Sequence, residues 1–97
     1  MNIDFQHGHP SHYQEFVDTN TWDNNDRLYN VSHPRVYFYK AKNKNTKKSV
    51  IICPGGGFKF LAINQEGREL AEKLAYHGIN AFVFYYKTHP IPQKKLN

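Results

Sequence analysis

Gly55-Gly56-Gly57 stands directly behind the apolar run Val50-Ile51-Ile52-Cys53-Pro54 and in front of Phe58. Successive glycines are costly to order, because each loses more backbone freedom on folding than any other residue. A run of them is retained where the backbone must take positive φ angles or bring its N–H groups close to something bound. Between a strand and a helix, those donors can be aimed at an anion. The chemistry on offer is the stabilisation of negative charge by main-chain N–H groups.

Three anions are conceivable. A phosphate-binding Walker loop needs G-x-x-x-x-G-K-[ST], but Gly57 is followed by Phe58 and Lys59 with no Ser or Thr next. A dinucleotide fingerprint needs G-x-G-x-x-G; Gly55 and Gly57 meet its first half, but Phe60 stands in the last position and the helix starts several residues late. The third anion is the oxyanion of acyl transfer, where two backbone donors about 3 Å from the carbonyl oxygen lower the barrier. A glycine run after a strand leaves such donors unobstructed.

Other reactive side chains add little. Ser11, Ser32 and Ser49 lie in no G-x-S-x-G elbow, and Asp18, Asp23 and Asp26 sit in a stretch without periodicity. His77 reads as a cap or favourable charge at a helix end. His89 precedes Pro90 at the carboxyl end of a strand, from where it can face the glycine loop. Cys53 ends a strand expected to be buried and reads as a small apolar core residue. His7, His9 and His12 fall close together, but Gly8 and Pro10 at a chain end do not hold ligands in fixed geometry, so neither a metal nor any other cofactor is expected.

The elements that must position the loop are legible from pattern. Residues 35–40 and 49–53 read as strands, with a lysine-rich turn between them and an apolar loop over 58–63. Asn64 is the expected N-cap of a helix over 65–77, with Glu66 in its first turn. Gly67, Leu70, Ala71, Leu74 and Ala75 form one face of that helix. Glu69 and Lys73 are spaced as an i,i+4 pair, and Gly78 stops the helix. A third strand covers 79–86. Strand, helix and strand make a βαβ unit with parallel strands and a right-handed crossover. The strands are apolar on both faces, so the sheet expects cover on both, and one helix serves only one face.

The motifs together resemble one family. Asn30 to Pro34, the strand to Tyr39, Val50 through Phe58, and Phe82 through Pro90 are similar to the N-terminal portion of α/β-hydrolase esterases of the acetylxylan-esterase and lipase type. Cys53-Pro54-Gly55-Gly56-Gly57-Phe58 resembles their Cys-Pro-Gly-Gly-Gly-aromatic motif, and Tyr86-Lys87-Thr88-His89-Pro90 their Tyr-Arg-x-Ala-Pro, departing at Lys87 and His89. The resemblance covers about residues 22–92. It implies a partial α/β-hydrolase fold of about three strands with one βαβ crossover, over residues 32–97, behind an irregular leader over 1–31. It also implies an ester hydrolase acting on small esters or acetylated sugars. Gly56 and Gly57 would be the oxyanion donors, with Gly55 shaping the loop. Phe58 would line the substrate pocket, or be a plain core aromatic. The serine nucleophile is absent from these residues, so the chain alone is expected to be inactive. The alternative is a non-catalytic βαβ binding or interaction module derived from a hydrolase.

Bulk properties set the frame. Ninety-seven residues make one domain at most. No apolar run approaches the roughly 20 residues that span a membrane, and the start lacks the pattern of a secretory signal, so a cytoplasmic location is expected. The net charge of +5 comes largely from Lys40, Lys42, Lys44, Lys47 and Lys48. No aromatics are interleaved with these lysines, which reads as a solvated turn and not a nucleic-acid patch. A partner is expected on the bare sheet face: a second copy, or the remaining hydrolase segment.

Overall fold

The computed structural model describes residues 2–4, 14–19 and 21–91, the first three by backbone alone. Its strands are β1 (Asn2–Asp4), β2 (Phe16–Asp18), β3 (Arg27–Tyr29), β4 (Arg35–Tyr39), β5 (Lys48–Ile52), β6 (Phe60–Ala62) and β7 (Ile79–Tyr85). A π-helical turn, Asn64–Arg68, runs into the α-helix α1, Glu69–Tyr76. The content is mixed α/β. A four-stranded sheet has the order β1-β4-β7-β5, and a three-stranded sheet the order β2-β3-β6.

The larger sheet is built around β7, whose apolar residues pack on both faces. β5 and β7 are parallel, as the intervening helix requires, while β4 pairs antiparallel with the other side of β7. α1 lies on one face through Ala71, which is buried against Ile52, Ala81 and Val83 with Leu74, Tyr37, Tyr39 and Tyr85 around them, and Ala75 is buried too. Alanine in the contact lets the helix axis sit close to the sheet. Register places Val36, Phe38, Ile51, Phe82 and Phe84 on the opposite face. There Phe38 and Phe82 stack at 4.8 Å, and Ile51 is 71% exposed. Among the described residues no helix covers that face.

The smaller sheet closes the carboxyl end of β7. Leu28, Val31 and Leu61 form its core with Ile63, Tyr85 and Tyr86 packed against them. In register, Phe16, Tyr29 and Phe60 make an aromatic ladder, with centroids 5.0 and 5.5 Å apart. The Arg27 guanidinium lies 4.8 Å from the Phe60 ring centroid.

Several expectations are corrected. There are seven strands rather than about three, because β1, β2 and β3 form within the stretch read as an irregular leader, and β6 within the apolar loop. These are three-residue strands, too short for a period-2 signal, and they exist through their partners. Tyr29 and Val31 are buried, whereas Trp22 is 88% exposed. Cys53 is exposed, because β5 is an edge strand with only Ile52 buried. The helix begins with a π turn, and Ile63 rather than Asn64 is its cap residue. The free N–H groups of Asn64 and Gln65 are instead satisfied by Asn25 Oδ1, at 3.1 and 3.3 Å. Leu70 lies at the flank of the contact, 39% exposed. The ion pair on this helix is Arg68–Glu72 at 3.2 Å rather than Glu69–Lys73.

Candidate functional site

The glycine loop leaves the carboxyl end of β5 and is held by four hydrogen bonds. Gly55 N–H donates to Glu66 Oε1 at 3.1 Å, and the Gly55 carbonyl accepts Ala62 N–H at 3.0 Å. The Gly56 carbonyl accepts Lys59 N–H at 3.2 Å, and the Phe58 carbonyl accepts His89 N–H at 2.6 Å. φ is +64° at both Gly57 and Phe58, the central pair of a turn closed by the Gly56–Lys59 bond. Positive φ at both positions is the signature of a type I′ turn. At Gly56 the constraint is different: a Cβ there would lie 1.9 Å from the Phe60 carbonyl oxygen. Only glycine lets the loop fold back this tightly on β6.

The bonds to the carbonyls set the direction of the N–H groups. Every peptide bond in the described residues is trans, and in a trans peptide C=O and N–H point opposite ways. The Gly55 carbonyl faces Ala62, so Gly56 N–H is directed away from β6. The Gly56 carbonyl faces into the turn toward Lys59, so Gly57 N–H is directed out of it. Neither N–H has an acceptor among the described residues. Two adjacent main-chain donors on a tightly held loop are thus left available to an anion.

The second motif arrives at the same place. Because β5 and β7 are parallel neighbours, the loops that follow them leave the same edge of the sheet. Tyr86 Oη donates to the Pro54 carbonyl, while His89 N–H holds the Phe58 carbonyl. Tyr86 is pushed above its ordinary range by burial, and then by the neighbouring Cys53 and Glu66. Its hydroxyl therefore keeps its proton and remains a donor at neutral pH. Thr88, between these contacts, is buried, and its Oγ1 has no partner among the described residues.

Phe58, the second residue of the turn's central pair, is 72% exposed, so it is no core aromatic. The His89 side chain is exposed, and its backbone rather than its imidazole makes the contact to the loop. His77 is the C-cap of α1. Ser49 is exposed on β5, and Ser32 is committed elsewhere: its N–H and Oγ both bond Glu15 Oε1, at 3.0 and 3.3 Å. Ser11 and the histidines at 7, 9 and 12 lie outside the described residues. Among the described residues no cluster of His, Cys, Asp and Glu could hold a metal ion.

A cleft of about 360 Å³, lined by Phe38, Tyr39, Lys40, Ala41, Lys42, Glu72 and Ala75, lies at the carboxyl end of β4. That strand is antiparallel to β7, so the cleft opens at the opposite end of the sheet from the glycines. The residue that sequence reasoning passed over at the loop is Glu66, read there only as a favourable charge in a first helical turn. Its proximity to Gly55 depends on how the π turn packs, for which the sequence carries no local signal.

Compared with protein-family models, with curated proteins and with solved structures, the chain matches none.

Proposed function

We propose that this chain is the N-terminal part of a serine ester hydrolase, of the carboxylesterase or carbohydrate acetyl esterase type, and that it supplies the oxyanion-binding loop. The observation that carries this reading is the meeting of two motifs. Cys53–Phe58 and Tyr86–Pro90, some thirty residues apart in sequence, are joined by the Tyr86–Pro54 and His89–Phe58 hydrogen bonds. At that junction Gly56 and Gly57 keep their N–H groups free.

When a serine attacks an ester, the carbonyl oxygen takes up negative charge, and donors already in place need no reorganisation to meet it. Loss of one such donor costs on the order of 3 kcal/mol of transition-state stabilisation. Phe58 would line the acyl or alcohol side of the substrate. Nucleophile, acid and base would come from sequence outside these residues, so the chain alone turns over no ester.

The test is a 15N-resolved NMR titration with phenylphosphonate, a tetrahedral oxyanion, alongside an assay with nitrophenyl acetate. Saturable shifts at the Gly56 and Gly57 amides with near-zero turnover are expected. Amides that ignore the phosphonate, or steady turnover by this chain, would overturn the reading.

The bare sheet face favours a second reading, a non-catalytic interaction module, because Ile51 is exposed there on β5. A stable oligomer that Ile51→Lys dissociates, together with silent glycine amides, would select it.

A further inference from the structure

We infer that Glu66 is a positioning residue whose carboxylate sets the orientation of the oxyanion donors, an inference that rests on the oxyanion reading of the loop. Glycine has the widest backbone freedom of any residue, so Gly55 has no intrinsic preference for the conformation the loop needs. It is held at both ends instead: its N–H by Glu66 Oε1 at 3.1 Å and its carbonyl by Ala62 N–H at 3.0 Å. Fixing both groups of one residue fixes the plane of the peptide that follows. That peptide carries the Gly56 N–H.

The carboxylate is itself delivered from a fixed base. Arg68 N–H reaches back to the Ile63 carbonyl at 3.0 Å, the i→i+5 bond of the π turn that contains Glu66. Asn25 Oδ1 holds the first two N–H groups of that turn. Gly67 is buried, and a Cβ there would lie 3.6 Å from Pro54 Cγ and 3.7 Å from Val83 Cγ1. The turn thus packs directly on the residue before the glycines. Single-turn π segments are frequent at functional sites. Here the turn brings Glu66 to Gly55 while Gly67 meets Pro54.

A carboxylate is a stronger acceptor than a neutral oxygen, which favours it for holding a glycine. It also places a negative charge close to the position of the oxyanion. The two effects separate on substitution. Glu66→Gln keeps an acceptor and removes the charge; Glu66→Ala removes both. The Gln variant should bind phenylphosphonate about threefold more tightly than the unsubstituted chain, from relief of Coulomb repulsion across a partly screened separation. The Ala variant should bind it more weakly than either.

Amide hydrogen exchange and 15N relaxation of the free chain decide the matter without any ligand. In Glu66→Ala, exchange at Gly55 should accelerate about tenfold and the order parameters of Gly56 and Gly57 should fall. Glu66→Gln should restore both. Unchanged Gly55 exchange and unchanged order at Gly56 and Gly57 in the Ala variant would overturn the positioning role. Failure of the oxyanion reading shows separately, as glycine amides that do not respond to phosphonate in the unsubstituted chain.

Discussion

Asn30 and Ile91 are locked together by a reciprocal pair of hydrogen bonds. Asn30 Nδ2 donates to the Ile91 carbonyl at 2.7 Å, and Asn30 Oδ1 accepts the Ile91 N–H at 2.7 Å. Asn30 is fully buried at φ +53°, a conformation that Asn tolerates better than most residues. It also donates to the Gln14 carbonyl at 3.3 Å. One side chain therefore ties the segment before β4 to the end of the Tyr86–Pro90 stretch, which in turn holds the glycine loop.

Asn30→Ala leaves the part-buried N–H and carbonyl of Ile91 without their partner. At about 1–3 kcal/mol for each unsatisfied group, partly relieved by water, the expected loss is about 2–4 kcal/mol. Urea unfolding should show a lower midpoint with unchanged slope, and the Ile91 amide should exchange faster. A loss below about 0.5 kcal/mol would show that the pair is not a fastening.

Gly56 and Gly57 should respond differently to the same substitution. Gly56→Ala forces a Cβ to 1.9 Å from the Phe60 carbonyl oxygen, so the loop must move away from β6. At Gly57 a Cβ meets nothing within 4 Å, and only the positive φ opposes it. The expected costs are about 3 kcal/mol for the first and about 1 kcal/mol for the second. Equal costs in denaturant titrations would contradict the geometry.

Acid should weaken the fold through Glu15. Burial raises its pKa, but bonds from Arg35 and from Ser32 outweigh burial and hold the carboxyl below its ordinary value of 4.5. The Arg35 contact is bidentate, at 2.8 Å to Oε1 and 2.9 Å to Oε2. With the folded value depressed, the stability it contributes is present above the unfolded value and is lost as pH falls through the folded one. Glu15→Gln should flatten the stability profile below about pH 4.5. A profile as steep as that of the parent would exclude Glu15 as the acid-sensitive group.

Alkali should act through Tyr85. Burial first, then the neighbouring Tyr39 and Tyr37, push its hydroxyl up to about 12 against the partial relief from Arg35 and Arg68. A folded value above the unfolded 10 means that its contribution is intact below pH 10 and is lost as pH rises toward 12. Tyr85→Phe should lessen the alkaline decline, leaving the part contributed by Tyr39 and Tyr86, which burial also raises. Its hydroxyl should also vanish from the late phase of an ultraviolet tyrosine titration.

Much of this architecture is written locally. The βαβ unit follows from two apolar runs and a helical spacing, and the stop at Gly78 from a glycine after the last helical turn. The bare sheet face follows from a strand pattern apolar on both sides with one helix to cover it. The glycine run announced a backbone with positive φ, which Gly57 takes at +64°. Less legible were the short strands β1, β2, β3 and β6, because three residues are too few to show a period. The exposure of Cys53 was hidden for another reason: an apolar strand reads the same at the centre of a sheet as at its edge.

By itself the sequence determined which residues could adopt the loop and which elements flank it, since propensity, periodicity and turn chemistry act between near neighbours. Tertiary structure alone decided that Asn25 caps a turn 39 residues away, that Asn30 fastens Ile91 at a separation of 61, and that Glu66 holds Gly55. Each of these depends on one hydrogen-bonding side chain meeting backbone groups of another segment after the sheets have packed. No local pattern encodes such a meeting, because its geometry belongs to the fold as a whole. The directions of the Gly56 and Gly57 N–H groups were likewise decided by contacts made in the fold, the Ala62 and Lys59 bonds to the carbonyls of Gly55 and Gly56.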